Sequence, residues 1–122
     1  MITLREQDER VGYQEQLAQD TAPIVLINQF HVAPEDADRL VEVWADDAAF
    51  MKEQPGYISA QLYRGTAGST TFINIAVWES TAALRDAFLN PEFQERIRRY
   101  PASTVGSPHV FAKVAVPGIC LG

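Results

Sequence analysis

The chain has 122 residues, 47% of them hydrophobic, and carries 16 acidic against 10 basic side chains for a net charge of -6 at pH 7. That size fits one domain, burying roughly two thirds of the surface its unfolded form exposes. The acidic balance, with no Lys/Arg block to track phosphates, argues against nucleic acid or an anionic membrane as partner. A single cysteine, Cys120, excludes an intrachain disulfide and suits a reducing cytoplasm.

The opening segment, MITLREQDERVGYQEQLAQDTA, lacks the basic start and apolar centre of a signal peptide, and no run in the chain approaches the ~20 apolar residues of a membrane span. A cytoplasmic protein is expected. Residues 1–22 are weakly periodic and read equally as a mobile tail, a short helix or an arm laid across a partner subunit.

PIVLINQFHV, residues 23–32, is a continuous apolar run with β-branched residues between prolines, the pattern of a strand covered on both faces. Pro34, with Glu35 and Asp36 behind it, opens a helix whose apolar residues Ala37, Leu40, Val41, Trp44, Ala48 and Met51 recur at three- and four-residue steps, ending near Gln54. YISAQLYR (57–64) and TTFINIAVW (70–78) read as two strands joined by the hairpin loop GTAGS. Ser80 and Asn90, the latter followed by Pro91, cap the helices TAALRDAF and EFQERIRRY. A polar connection, PASTVGSP, leads to HVFAKVAV (109–116) as the last strand.

The order is β-α-β-β-α(α)-β, an α+β ferredoxin-like split β-α-β with helices on one face of an antiparallel sheet. Residues 23–116 make the domain, with 1–22 as an N-terminal arm or tail and 117–122 as a C-terminal tail. Alternation in the third strand places Phe72, Asn74, Ala76 and Trp78 on the helix side and Ile73, Ile75 and Val77 on the other. The chain has no spare helix for that second apolar face, so the expected cover is the same face of a second copy, giving a homodimer.

By the same parity Leu26, Asn28 and Phe30 of the first strand point to one side. Two amides and an indole then meet in an otherwise apolar space bounded by Leu26, Phe30, Trp44, Met51, Phe72, Leu84 and Phe88. A buried carboxamide without partners costs on the order of 1–3 kcal/mol. Either Asn28 and Asn74 bond each other or a bulge while Trp78 fills volume, or the three converge on a ligand.

His31 has the opposite parity from Asn28 and belongs at an interface or rim; His109 opens the last strand. Both read as structural. No HxH, HExxH, CxxC or two-His-one-carboxylate spacing occurs, and no GxGxxG or GxxxxGK[ST] element, so no metal and no nucleotide cofactor is expected. Arg85, Arg96, Arg98 and Arg99 read either as a solvated helix face or as anchors for an acidic substrate.

VLINQF before an acidic-start helix, then QPGYISAQLYR, FINIAVWES and NPEF, resemble the antibiotic biosynthesis monooxygenase family over about residues 23–116. Within it the chain is most similar to the cofactor-independent anthrone oxygenases of aromatic polyketide biosynthesis, of the nogalamycin-pathway type. That resemblance implies a dimeric α/β barrel and places Asn28, Asn74 and Trp78 as catalytic residues around a polycyclic anthrone that reacts with O2 to give a quinone. It also accounts for a missing cofactor, since the substrate enolate can itself pass an electron to O2.

The chain departs from relatives at two places. Leu84 stands where some carry a tyrosine, so no tyrosine proton donor carries over and the acid or base is unassigned. Ile97 stands near the histidine that ligates haem in haem-degrading members. Two other classes of function remain open: a protein that binds a small aromatic ligand without turning it over, and a non-oxidative isomerase, cyclase or lyase on the same scaffold.

Overall fold

In the computed structural model, which describes residues 2–122, one sheet carries the strands β1 (Thr3–Leu4), β2 (Ile24–His31), β3 (Tyr57–Arg64), β4 (Thr71–Trp78) and β5 (Val105–Phe111) in the spatial order β1-β5-β2-β4-β3. Every pair from β5 to β3 is antiparallel, while β1 adds to the β5 edge in parallel. The helices are α1 (Tyr13–Leu17), α2 (Ala37–Lys52), α3 (Thr81–Phe88) and α4 (Pro91–Ile97). This is the ferredoxin-like α+β arrangement expected from the element order, and the sheet stays open.

The starts of α3 and α4 follow from their capping residues. The Ser80 hydroxyl accepts from Ala83 N–H at 3.1 Å, and Asn90 Oδ1 accepts from Glu92 N–H at 2.9 Å with Pro91 behind it. Pro34 instead opens a 3-10 turn, Pro34–Asp36, and α2 follows at Ala37. Between α2 and β3, Gly56 adopts φ +88, and a Cβ there would lie 2.4 Å from the Ala83 side chain. Its carbonyl accepts from Glu79 N–H at 2.8 Å. The QPGY and WES segments are thus two halves of one junction, closed by a residue that must lack a side chain.

Two details differ from the sequence expectation. On α2 the buried positions are Ala37, Leu40, Val43 and Asp47, and Val41 is exposed. Leu40, Trp44, Asp47 and Met51 form a stripe at 100° per residue, and Val41 falls about a quarter turn outside it.

The last strand begins at Val105 and ends at Phe111, earlier than the expected 109–116. Its partner runs out: the register reaches Val25↔Phe111, leaving only Ile24 before Pro23, which has no N–H to offer. Val114 and Val116 consequently lie in an exposed tail.

Within residues 2–22, the short helix α1 packs on the chain's own core. The α1 residues Tyr13 and Leu17 are buried among Ile24, Leu26, Trp78 and Leu84, and the Glu6 carboxylate receives Tyr13 N–H at 2.9 Å. On the opposite face of the sheet Ile73, Ile75 and Val77 are half-exposed. Among the described residues no helix is long and apolar enough to cross a membrane.

Candidate active site between sheet and helices

A cavity of about 90 Å3 lies between the inner sheet face and the helices. It has room for several water molecules, each needing roughly 10–15 Å3, and so exceeds a packing defect. Alternation along β2 and β4 brings Asn28 and Asn74 opposite each other in the register, with Leu26 and Trp78 on the same face. All four line the cavity, as do Phe30, Trp44, Met51, Leu84 and Phe88. Phe72 does not: it is buried in a second core cluster with Phe30, Val32 and Leu40, under the Arg64 guanidinium at 5.2 Å from its ring centroid.

The two asparagines differ. Asn28 Oδ1 accepts from the Ser107 backbone N–H at 2.9 Å. A backbone N–H can only donate, which fixes the amide orientation and leaves Asn28 Nδ2, a donor, for the cavity. β5 offers this N–H beside Pro108, which faces Asn28 in the register and has none of its own. Asn74 Oδ1 and Trp78 Nε1 are both buried and, among the described residues, neither has a hydrogen-bond partner. The amides therefore do not satisfy each other.

Aromatic contacts hold the walls. Tyr57 meets Trp78 edge-on with centroids 5.6 Å apart, and Phe88 lies between Tyr13 at 5.2 Å and Phe93 at 5.6 Å. Ile2, Leu4 and Tyr13, from the segment before β2, complete one side. The Tyr13 hydroxyl is buried without a partner, and burial raises its pKa further above the usual phenol value.

Asp47, Tyr13 and Tyr100 escaped the sequence reading. Asp47 projects from α2 into the cavity wall at 6% exposure, with Oδ1 unpartnered. Burial pushes its carboxyl up to about 7, against smaller opposing effects from the Tyr100 hydroxyl and from Arg96 and Arg99. The Tyr100 ring stacks on Phe30 at 5.6 Å, and burial together with the Asp47 charge raises its phenol well above the ordinary value. A signal for Asp47 was available: it follows Trp44 by three residues and precedes Met51 by four, a carboxylate in the middle of an apolar stripe.

The remaining singled-out residues lie away from the cavity. His31 is exposed, with Nδ1 at 2.9 Å from Thr71 Oγ1, and buried His109 meets Gln16 Nε2 at 3.2 Å. Arg85 donates to the Leu17 carbonyl, Arg96 and Arg98 pair with Glu92 and Glu95, and Arg99 pairs with Asp46. Each arginine is engaged with the protein rather than presented to a ligand. Among the described residues no group of three or more His, Cys, Asp or Glu side chains is gathered to hold a metal ion.

The family model for antibiotic biosynthesis monooxygenase matches residues 23–99, the stretch that builds β2 to α4 and most of this cavity. The chain belongs to the antibiotic biosynthesis monooxygenase family. It is 34% identical over 74 residues to the deoxynogalonate monooxygenase of Streptomyces nogalater, an alignment covering 61% of this chain and 62% of that relative. The crystal structure of SnoaB, a cofactor-independent oxygenase from Streptomyces nogalater, superposes with a TM-score of 0.68 at 27% identity, covering 80% of this chain and 99% of SnoaB. A Shewanella loihica protein matches at 29% identity and a TM-score of 0.64, over 78% of this chain and 97% of its own.

Proposed function

We propose that this protein is a cofactor-independent monooxygenase that oxidises an aromatic polyketide anthrone to a quinone with O2, in antibiotic or related secondary-metabolite biosynthesis. The observation that carries the reading is one apolar cavity where, among the described residues, Trp78 Nε1 finds no partner and Asn28 Oδ1 is taken by Ser107, which leaves the Asn28 amide nitrogen as a second donor. The likeness to SnoaB and to the deoxynogalonate monooxygenase supports the choice of chemistry.

The reaction asks little of a protein. An anthrone carbon flanked by two aryl rings and conjugated to a carbonyl loses a proton, and the enolate passes one electron to O2. The two radicals combine to a hydroperoxide, and loss of water leaves the quinone: one O2 consumed, one oxygen atom kept, one released as water. Cavity groups contribute by binding planar rings against Trp78, Phe88 and Leu84, by donating N–H to the anionic oxygen, and by excluding bulk water. A preorganised donor of this kind is worth roughly 10²–10³ in rate.

In the same reading the half-exposed face carrying Ile73, Ile75 and Val77 packs against a second copy, sheet on sheet, so that each subunit keeps its own cavity.

Turnover of an anthrone under 18O2, followed by mass spectrometry, tests the proposal. One labelled atom per quinone is the expected product. Turnover that continues without O2 would instead point to an isomerase or cyclase, and tight binding with no product to a carrier.

A further inference from the structure

The proton that leaves the substrate carbon needs an acceptor, and neither asparagine amides nor an indole can serve. Among the described residues lining the cavity, Asp47 is the one carboxylate. It occupies the centre of the buried stripe of α2, between Trp44 and Met51, and its Oδ1 has no hydrogen-bond partner.

The nearby cations do not neutralise it. Arg99 pairs with Asp46 at 3.3 Å, and Arg96 pairs with Glu92 at 3.5 Å while its guanidinium lies over the Phe50 ring at 4.9 Å. A buried acid kept for structure is ordinarily paired and fully hydrogen-bonded. One with an unpartnered oxygen and no direct ion pair, at the wall of an apolar cavity, is the arrangement that functional sites use.

We infer that Asp47 is the general base of this site, its carboxylate taking the proton from the activated carbon of the bound anthrone. The inference rests on the oxygenase reading above. The C–H bond breaks, its electron pair enters the carbonyl to give the enolate, and the proton stays on Asp47. After O2 has combined with the substrate carbon, Asp47 returns the proton to the peroxide. It then accepts the second proton from the same carbon as the O–O bond breaks, and the departing hydroxide takes that proton away as water. The carboxylate is regenerated and no external reductant is consumed.

Burial sets Asp47 near 7, where base and acid forms coexist at neutral pH, which suits a group that must take and return protons. The titratable and charged groups facing it are Asp46 on its own helix, Arg96 on α4, and Arg99 and Tyr100 just beyond it. The Tyr100 hydroxyl, Arg96 and Arg99 favour the carboxylate, and Asp46 opposes it.

The test separates proton transfer from oxygen chemistry. Anthrone, 9(10H)-anthracenone, is incubated in D2O without O2, and loss of its methylene signal is followed by NMR with full-length protein. Wild type is expected to speed exchange above the buffer rate, with a rise in rate centred near pH 7. Asp47→Asn, nearly isosteric, is expected to lower the protein-dependent rate at least about 100-fold while anthrone affinity changes less than about threefold. Tyr100→Phe should keep exchange but move the midpoint to higher pH, because the hydroxyl it removes favours the carboxylate.

Exchange by Asp47→Asn at near the wild-type rate overturns the assignment. So does a wild type that consumes O2 but never exchanges the carbon protons, and in that case the oxygenase reading stands. A wild type that does neither overturns both. Should Asp47→Asn not fold, the Tyr100→Phe midpoint decides, and an unmoved midpoint counts against Asp47.

Discussion

Asn28 and Ser107 are joined across two strands: the Ser107 N–H donates to Asn28 Oδ1 at 2.9 Å, which turns the amide nitrogen toward the cavity. Asn28→Asp keeps an acceptor for Ser107 but replaces the donor with a second carboxylate oxygen. This variant is expected to fold and to lose about 100-fold or more in kcat with an anthrone. Circular dichroism and steady-state oxygen uptake measured together check both halves.

Trp78 is 1% exposed, yet its Nε1 has no partner. Trp78→Phe removes an orphaned donor along with some ring volume, so the two effects on stability partly cancel. A thermal midpoint within a few degrees of wild type is expected, alongside a fall of about tenfold or more in kcat. A large loss of stability with unchanged turnover would make Trp78 a core residue only.

Asp47 links stability to pH. Its folded-state value of about 7 lies above the ordinary 3.8, so the native state holds this proton more tightly than the unfolded chain does. The contribution is complete below about pH 4 and is lost as pH rises through about 7. Asp47→Asn should therefore raise unfolding free energy at pH 8, by up to about 4 kcal/mol at ~1.4 kcal/mol per unit, and change it little at pH 4. Urea titrations at the two pH values measure the difference. Equal effects at both would remove the linkage.

Gly56 carries φ +88, and a Cβ there would lie 2.4 Å from the Ala83 side chain. Gly56→Ala must strain the left-handed backbone and displace α3 from β3. A destabilisation of about 2–4 kcal/mol is expected, measurable by chemical denaturation. A loss under 0.5 kcal/mol would mean that the junction between the QPGY and WES segments is not rigid.

Much of this arrangement was legible in the residues. Strand parity alone places Asn28, Asn74 and Trp78 on one face, because a side-chain period of two leaves no other choice once Phe72 and Trp78 are taken as inward. The caps at Ser80 and Asn90 mark their helices for equally local reasons. Asp47 is hidden from a pattern built on the apolar members of α2, although the helix angle that places Trp44 and Met51 inward places position 47 inward too. The end of β5 depends on where β2 stops, a pairing limit that no reading of HVFAKVAV by itself contains. Packing of Tyr13 and Leu17 was equally out of reach, since two apolar residues four apart in a charged segment are too weak a period.

In the proposed function, the cavity of Asn28, Asn74 and Trp78 performs oxygen chemistry on an anthrone. Oxygen consumption by the metal-free, flavin-free protein with anthrone, measured by electrode beside Asn28→Ala and Trp78→Phe, tests it most directly. Uptake is expected to rise in proportion to protein concentration and to fall about tenfold or more in each variant, equivalent to about 1.4 kcal/mol of transition-state stabilisation. Uptake no faster than the spontaneous rate, or equal uptake by all three proteins, would contradict it.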